Sequence, residues 1–312
     1  MVRGGGEREI IGGAAQTVAV EADLARLLPL IEPALPAPFF GGEVTTLAES
    51  MLYSLGAGGK RVRPVLCLLA AESLGKKAES AVGCAVALEY VHTYSLIHDD
   101  LPAMDDDDLR RGRPTNHRVY GEGQAILAGD GLLTEAFAVL AADGAMPVQQ
   151  RLEAILVLAR AAGWQGMVGG QSLDLEGEAL VEAGKQYDHD HLRLIHRLKT
   201  GALISASLEL GGIAAGAGAG HRNALRDAGA AMGLAFQIRD DVLDATSTTE
   251  NMGKQVGKDE GKNKITYPKT LGLEGAEKAL LQATANAVDL LGGLPNPGPL
   301  TAWARYMSTR AK

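Results

Sequence analysis

The chain has 312 residues, of which 46% are hydrophobic and only 4% aromatic, and its formal net charge is -8. Few β-branched or aromatic residues alternate with polar ones, so the composition favours helices over sheet. The negative charge excludes the broad basic surface that nucleic-acid binding needs, and it requires local cations or metals for any anionic substrate. Cys67 and Cys84 lie in apolar runs, which predicts buried free thiols and a reducing, cytoplasmic setting.

Hydrophobic periodicity predicts a series of helices that glycines and prolines separate. Residues 1–20 are expected to form a disordered tail, and no apolar stretch predicts a signal peptide or a membrane span. Residues 21–312 carry neither a composition shift nor a fixed repeat, which predicts one all-α domain. The predicted helices are Glu21–Leu30, Thr45–Ala57, Arg63–Leu74, Ala78–His98, Gly121–Ala142, Val148–Ala162, His189–Leu210, Asn223–Ala245, Tyr267–Leu291 and Pro299–Arg310.

An acidic run begins where one of the apolar helices ends. Asp99 and Asp100 close that helix, and four further aspartates, 105–108, follow Pro102. A run of this kind is often only a solvated loop. However, Pro102 disfavours helical backbone at the residue before it, so the chain can turn and bring Asp105 back toward Asp99.

A second acidic cluster lies in a later helix and contains Asp240, Asp241 and Asp244, with Gln237 one turn earlier. Asp240 and Asp244 are four residues apart and therefore share one helical face, where their charges repel each other. Paired carboxylates suit Mg²⁺, which binds one or two of them and takes its other ligands from water or phosphate. Two such clusters on separate helices predict a diphosphate that metal ions bridge to the protein.

Basic residues near these clusters supply the charge that a diphosphate needs. Lys60 and Arg63 follow two glycines at the predicted start of a helix, where backbone N–H groups also favour anions. His92 lies two turns before Asp99 on the same helical face. Other basic residues follow the first acidic run or lie in later segments: Arg110, Arg111, Lys199, Lys254 and Lys264. A single basic residue is often only a surface charge, with a structural role or none, and that interpretation is kept for Arg61, Arg113 and Lys258.

These segments together resemble a known family. Residues 89–114 resemble the first aspartate-rich motif of trans-isoprenyl diphosphate synthases, and residues 233–244 resemble the second. Four shorter matches follow the family's order: Gly59-Lys60 to Pro64, Gly169-Gly170-Gln171 to Asp174, Lys199 to Leu203, and Gly253-Lys254 to Pro268. The resemblance extends from about residue 45 to the C-terminus. It implies the isoprenoid synthase fold, a usually dimeric bundle of about ten or more mostly antiparallel helices around a deep central cavity.

The same resemblance implies a role for each matching residue. The diphosphate of isopentenyl diphosphate would be held by Lys60, Arg63, His92 and Arg111. Mg²⁺ ions, about three with substrate bound and replaceable by Mn²⁺, would be ligated by Asp99, Asp105 and Asp240, with support from Asp100, Asp241 and Asp244. The allylic diphosphate would contact Arg110, Lys199 and Lys254, and Lys264 would help to close the loop. The catalytic set would comprise Asp99, Asp100 and Asp240 with the cation-stabilising residues Lys199, Thr200 and Gln237.

Product length is implied by two residues just before the first acidic cluster. Tyr94 and Ser95 match positions that form the floor beneath the growing chain in similar enzymes. A bulky Tyr94 and the long first motif resemble bacterial farnesyl diphosphate synthases, so a C15 product is expected, with a C20 product as the alternative. Tyr94 could instead be only a packed core aromatic.

Other classes fit the sequence less well. A terpene cyclase would carry a different second motif and would not need Lys60 and Arg63. A non-catalytic partner subunit would be expected to lose acids from one cluster, whereas this chain keeps both. A diiron bundle would need a second Glu-x-x-His motif besides Glu89 to His92.

Overall fold

A computed structural model describes residues 6–39, 43–185, 188–246 and 265–310, except for the side chains of residues 6–15 and 182. Almost all of this part of the chain is helical. The α-helices are α1 Gly6–Ile31, α2 Thr45–Leu55, α3 Val62–Ser73, α4 Val82–Asp99, α5 Asn116–Tyr120, α6 Glu122–Ala142, α7 Val148–Ala162, α8 Met167–Glu182, α9 His189–His196, α10 Ala202–Ala214, α11 Ala219–Thr246, α12 Tyr267–Leu291 and α13 Gly298–Thr309. The prediction of an all-α fold is confirmed.

Three helices, α3, α4 and α10, form the centre of the bundle. Their residues are apolar on almost every side, as expected for helices that other helices surround. The α10 helix packs against α3, α4, α7 and α11. A Cβ atom on Gly211 would overlap the carbonyl of Cys67, so this glycine allows the backbones of α3 and α10 to touch. The acidic residues at the ends of α4 and α11 are thus carried on helices that share α10 as a neighbour.

Two of the differences from the predicted elements concern α1 and α8. The α1 helix begins at Gly6, inside the predicted tail, and Val20, Leu27 and Ile31 form one buried stripe at helical spacing in its second half. The α8 helix was not predicted, because Gly169 and Gly170 lower its intrinsic helix propensity.

The first acidic run leads into a short β-hairpin. Strand β1 (Leu109–Arg110) pairs antiparallel with strand β2 (Arg113–Pro114), and the part of the chain described here contains no other strand. Arg111 and Gly112 form the turn, with φ values of 54° and 75°. Two successive positive φ values are typical of the tight turn that suits a twisted hairpin. The hairpin therefore fixes where Arg110 and Arg111 lie relative to the end of α4.

A single π-helical turn, Arg197–Gly201, joins α9 to α10 and carries Lys199 and Thr200. Glycines on two neighbouring helices allow this turn to pack closely. A Cβ atom on Gly170 of α8 would overlap the backbone of Lys199, and one on Gly233 of α11 would lie 2.7 Å from the Cα of Gly201. π-helical turns occur frequently at functional sites.

Candidate active site

Asp99 and Asp105 are brought together at the end of α4. The amide of Asp105 donates a hydrogen bond of 2.8 Å to the carbonyl oxygen of Asp99, so the predicted return of the chain after Pro102 is confirmed. Burial raises the pKa of Asp99 to about 6; the charge of Lys199 opposes this rise and the charge of Asp105 adds to it. The first cluster thus holds two carboxylates close together, a combination that a cation would stabilise.

Asp100 lies on a different side of α4 from Asp99 and is buried. Its Oδ1 accepts a hydrogen bond from Nε of Arg110 at 2.7 Å, and the NH2 group of the same guanidinium lies 2.6 Å from this oxygen in an ion pair. This ion pair links the end of α4 to strand β1. Asp100 therefore fixes the position of Arg110, and its predicted supporting role at a metal would require the pair to open.

Three of the residues predicted to bind isopentenyl diphosphate lie at two neighbouring helices. Lys60 and Arg63 lie around the start of α3, and His92 lies in the middle of α4. Among the described residues, no hydrogen-bond partner exists for the buried Nε of Arg63 or the buried Nδ1 of His92. Burial and the positive charges of Arg63 and Arg111 lower the pKa of His92 well below its usual value, so its imidazole is neutral at pH 7. Buried polar atoms without partners are uncommon, and here they indicate a place for a ligand.

Arg111 is held against the glycine loop that precedes α3. Its guanidinium donates a hydrogen bond to the carbonyl of Gly58. A Cβ atom on Gly59, whose φ is 135°, would lie 2.5 Å from that guanidinium. Gly59 therefore permits both a positive φ value and the close approach of the Arg111 guanidinium. Lys60, the next residue, is exposed.

Lys199 forms an ion pair with Asp174 of α8, with 2.7 Å between Nζ and Oδ2. Its neighbour Thr200 is half-buried in the π-helical turn, and Gln237 is half-buried on α11, one turn before Asp240. Lys199 is also close enough to Asp99 to affect the pKa of that carboxyl. The structure thus brings the π-helical turn near the first acidic cluster.

The three acids of the second cluster have different surroundings. Asp240 is partly exposed and forms an ion pair with Arg310, the residue that follows α13. The Oδ2 of Asp241 accepts a hydrogen bond of 2.9 Å from the amide of Tyr267, at the start of α12, and Asp244 is exposed. Lys60 lies near Asp240 as well. Partial burial and the charge of Arg310 lower the pKa of Lys60, and the charge of Asp240 opposes this change. Arg310 is a residue of this site that the sequence did not suggest.

Basic side chains lie near each of the two clusters. Arg110 is near Asp99, Arg111 lies near Arg110 and Arg63, and Lys60 lies near Asp240, as their mutual effects on pKa indicate. Each set of carboxylates therefore has cations predicted for substrate binding beside it.

Arg61 has a role that the sequence did not reveal. Its side chain is buried, and it donates from Nε to Glu32 at 2.9 Å and from NH1 to Glu89 at 2.6 Å. A third hydrogen bond, of 2.7 Å, reaches the carbonyl of Leu55. The interpretation of Arg61 as a surface charge is therefore wrong. Glu89 was the available signal, because an acid inside an apolar helix requires a buried cation.

The donors present fit a Mg²⁺ ion whose coordination would be completed by water and diphosphate oxygens. In the part of the chain that the structure describes, no three His, Cys, Asp or Glu side chains converge to complete a metal site. Mg²⁺ needs only one or two carboxylates when phosphate oxygens and water supply its other ligands. Asp99 with Asp105 in the first cluster, and Asp240 in the second, offer this kind of incomplete coordination. Lys254, Lys258 and Lys264 lie outside the described residues.

Helix α6 is, among the described residues, the one helix long and apolar enough to cross a membrane by length and composition. It contains Asp130 and Glu135, and it packs against α2, α4, α5 and α7. Its apolar character on the packed side is that of a helix in a bundle.

Residues 44–289 match the polyprenyl synthetase family. The chain is 48% identical to a farnesyl diphosphate synthase of Geobacillus stearothermophilus over 85% of each protein. It is 43% identical to the chloroplastic geranylgeranyl pyrophosphate synthase 9 of Arabidopsis thaliana, over 94% of this chain and 79% of the relative. Among solved structures, an apo FPP/GFPP synthase from Zymomonas mobilis matches with a TM-score of 0.83 and 34% identity, over 93% of this chain and 99% of the other. The geranylgeranyl pyrophosphate synthetase from Pyrococcus horikoshii matches with a TM-score of 0.85, 30% identity and the same coverage.

The family match covers both acidic clusters and most of the basic residues between them, and the structural matches cover nearly the whole helical bundle. The chain therefore belongs to the polyprenyl synthetase family, as a prenyltransferase of the short-chain trans-isoprenyl diphosphate synthase type.

Proposed function

We propose that the protein catalyses the Mg²⁺-dependent, head-to-tail condensation of isopentenyl diphosphate with an allylic diphosphate, and that farnesyl diphosphate is its main product. The observation that carries this proposal is the pair of buried nitrogen atoms without partners among the described residues, on Arg63 and His92, in a chain that also carries two carboxylate clusters. Two diphosphate groups must be held at once, and the site offers two kinds of support for them. One is cationic, and the other consists of carboxylates suited to metal ions.

Isopentenyl diphosphate would be bound by the cations at the start of α3. Arg63 would direct its free Nε at a phosphate oxygen, and neutral His92 would donate one N–H without adding charge. Lys60 and Arg111 would complete the binding. Hydrogen bonds to charged phosphate oxygens are among the stronger ones in proteins.

The allylic diphosphate would lie between Asp99 with Asp105 and Asp240. Bound Mg²⁺ would supply the positive charge that stabilises the departing diphosphate. Arg110, fixed by Asp100, would contact the same leaving group, and Lys199 would exchange Asp174 for a phosphate oxygen. Charges set in place before the reaction are the most effective in stabilising a transition state.

Loss of diphosphate leaves an allylic carbocation, which the double bond of isopentenyl diphosphate attacks. The Thr200 hydroxyl and the Gln237 carbonyl oxygen, both half-buried, would direct the negative ends of their dipoles at this cation. A proton then passes from the new chain to the released diphosphate, and this loss restores a double bond in the chain. Apolar side chains of the surrounding helices would exclude the water that could quench the cation.

Product length is proposed to depend on Tyr94. Its ring is buried five residues before Asp99 on α4, and it packs edge-on against His98 with 5.6 Å between the ring centroids. Burial and the charge of Asp99 raise its pKa to about 12, so the phenol stays neutral. Its hydroxyl has no hydrogen-bond partner among the described residues. Ser95, whose hydroxyl donates to the carbonyl of His92 at 2.8 Å, would form a smaller part of the same floor.

Replacing Tyr94 with Ala should lengthen the product from C15 to C20 or more, because the space of the ring becomes available to the chain. Chromatography of products made from isopentenyl and geranyl diphosphate measures this. Tyr94→Phe is the matched control, since it keeps the ring and removes only the hydroxyl, and its product should stay C15. Unchanged C15 product from Tyr94→Ala would place the floor elsewhere.

The main proposal is tested with purified protein, labelled isopentenyl diphosphate and each of the C5, C10 and C15 allylic diphosphates. We expect mostly C15 product from the C5 and C10 starters, and none in EDTA. Predominant C20 product would favour the alternative of a geranylgeranyl diphosphate synthase, which relatives with that name support. Failure to elongate any starter would favour a non-catalytic partner subunit.

We also propose that the protein is a cytoplasmic homodimer. The α6 and α7 helices pack against each other, and both carry exposed apolar side chains, among them Ile126, Leu127, Leu152 and Leu156. A surface of this kind on neighbouring helices is suited to a second copy of the chain. Sedimentation velocity of the purified protein measures its oligomeric state, and a monomer at micromolar concentration would contradict the dimer.

A further inference from the structure

Arg310 is anchored to one face of α11 by three separate contacts. Its guanidinium lies over the ring of Phe236, 4.0 Å from the centroid, and its backbone carbonyl accepts a hydrogen bond of 2.9 Å from Nε of Arg239. Its NH2 group donates to Oδ1 of Asp240. Phe236, Arg239 and Asp240 are three and four residues apart and so lie on the same face of the helix. The Arg310 side chain is only 9% exposed, which distinguishes it from a loosely held surface charge.

The third of these contacts involves the carboxylate proposed to bind metal. A guanidinium cannot lose its proton in a protein, so Arg310 brings a permanent positive charge to Asp240. A divalent cation bound at Oδ1 would be repelled by this charge and would compete with it for the same oxygen. Lys60 is also close, since the charge of Arg310 lowers its pKa. The site therefore already contains a cation of its own in the place where Mg²⁺ is needed.

We infer that Arg310 is a resident counter-ion of Asp240, which occupies the second acidic cluster until metal displaces it and thereby sets the metal affinity of the substrate-free enzyme. This inference rests on the proposed function, in which Asp240 binds Mg²⁺. Arg310 would stabilise Asp240 while the site is empty and would move away, or turn toward a phosphate, when the metal enters. The contacts with Phe236 and Arg239 would determine how tightly it is held.

The test is Mn²⁺ binding to the substrate-free protein, measured by electron paramagnetic resonance of the free ion. Arg310→Gln removes the competing charge and should tighten binding about tenfold, since a hydrogen bond to a charged group must no longer be broken. Arg310→Lys keeps the charge and should stay within about threefold of the wild type. Arg305→Gln is the matched control, because it removes the same charge from an exposed position on α13 and should leave the affinity unchanged.

Asp240→Asn separates this inference from the proposed function. If Asp240→Asn weakens Mn²⁺ binding but Arg310→Gln does not tighten it, the counter-ion inference is overturned and the metal site stands. If Asp240→Asn has no effect, both are overturned. Circular dichroism of each variant verifies that it is folded, and hydrogen exchange provides a second measurement on the wild type. The amide of Arg310, which donates to the carbonyl of Tyr306, should exchange faster when Mn²⁺ is added, and unchanged exchange would contradict displacement.

Discussion

Replacing Asp99 with Asn should lower kcat/KM for condensation by about 10²–10³-fold, the range seen when one electrostatic contact to a transition state is removed. The carboxylate and amide side chains have nearly the same shape, so the substitution removes charge and little else. Asp99 is held next to Asp105 by the hydrogen bond between their backbones. Loss of its charge should therefore weaken metal binding by the first acidic cluster. Initial rates with geranyl and isopentenyl diphosphates at saturating Mg²⁺ measure the effect.

The stability of this variant should not fall. Burial raises the pKa of Asp99 to about 6 from its ordinary value of 3.8, so above pH 6 the ionised carboxylate makes the folded state less stable than a neutral side chain would. Asp99→Asn removes this cost, and its free energy of unfolding at pH 7 should equal or exceed that of the wild type. Asp106→Asn is the control, because Asp106 is exposed in the same acidic run and its φ of 52° is one that Asn tolerates. Near wild-type activity in Asp99→Asn would refute the proposed metal site.

Replacing Arg61 with Gln should destabilise the protein by about 3–5 kcal/mol, the usual cost of removing one partner from a buried ion pair. Glu89 would be left 3% exposed without its cation, and Glu32 and the carbonyl of Leu55 would each lose a donor. Glu32 follows directly after α1, Leu55 ends α2 and Glu89 lies in α4, so Arg61 links the elements that surround the start of α3. Thermal unfolding should show a loss of about 10 °C.

Two further variants make this result specific. Arg113→Gln removes an exposed arginine that lies over the ring of Tyr53, 4.5 Å from its centroid, and should change stability by no more than about 1 kcal/mol. Adding Glu89→Gln to Arg61→Gln should recover part of the lost stability, since the uncompensated charge is then gone. Equal stabilities of Arg61→Gln and Arg113→Gln would show that Arg61 is not the cation on which Glu89 depends.

The sequence by itself determined the helical class and most of the candidate site. Apolar residues at helical spacing predicted ten helical segments in order, which cover at least part of every described α-helix except α5 and α8, and Pro102 predicted the return of Asp105 to Asp99. These inferences succeed because they depend on local geometry, which a few neighbouring residues decide. The α8 helix escaped prediction because its glycines serve packing against the π-helical turn, and packing overrides propensity.

Only the tertiary structure decided which charges meet. Arg310 and Asp240 are 70 residues apart in the chain, and Arg61 and Glu89 are 28 apart. Neither separation produces a periodic pattern in the sequence that would predict the pair. A buried charge selects its partner by distance in the folded state, where the low dielectric makes an uncompensated charge costly. The sequence therefore named the carboxylates and cations of the site, whereas the packing of α11, α13 and the start of α3 fixed the partner of each.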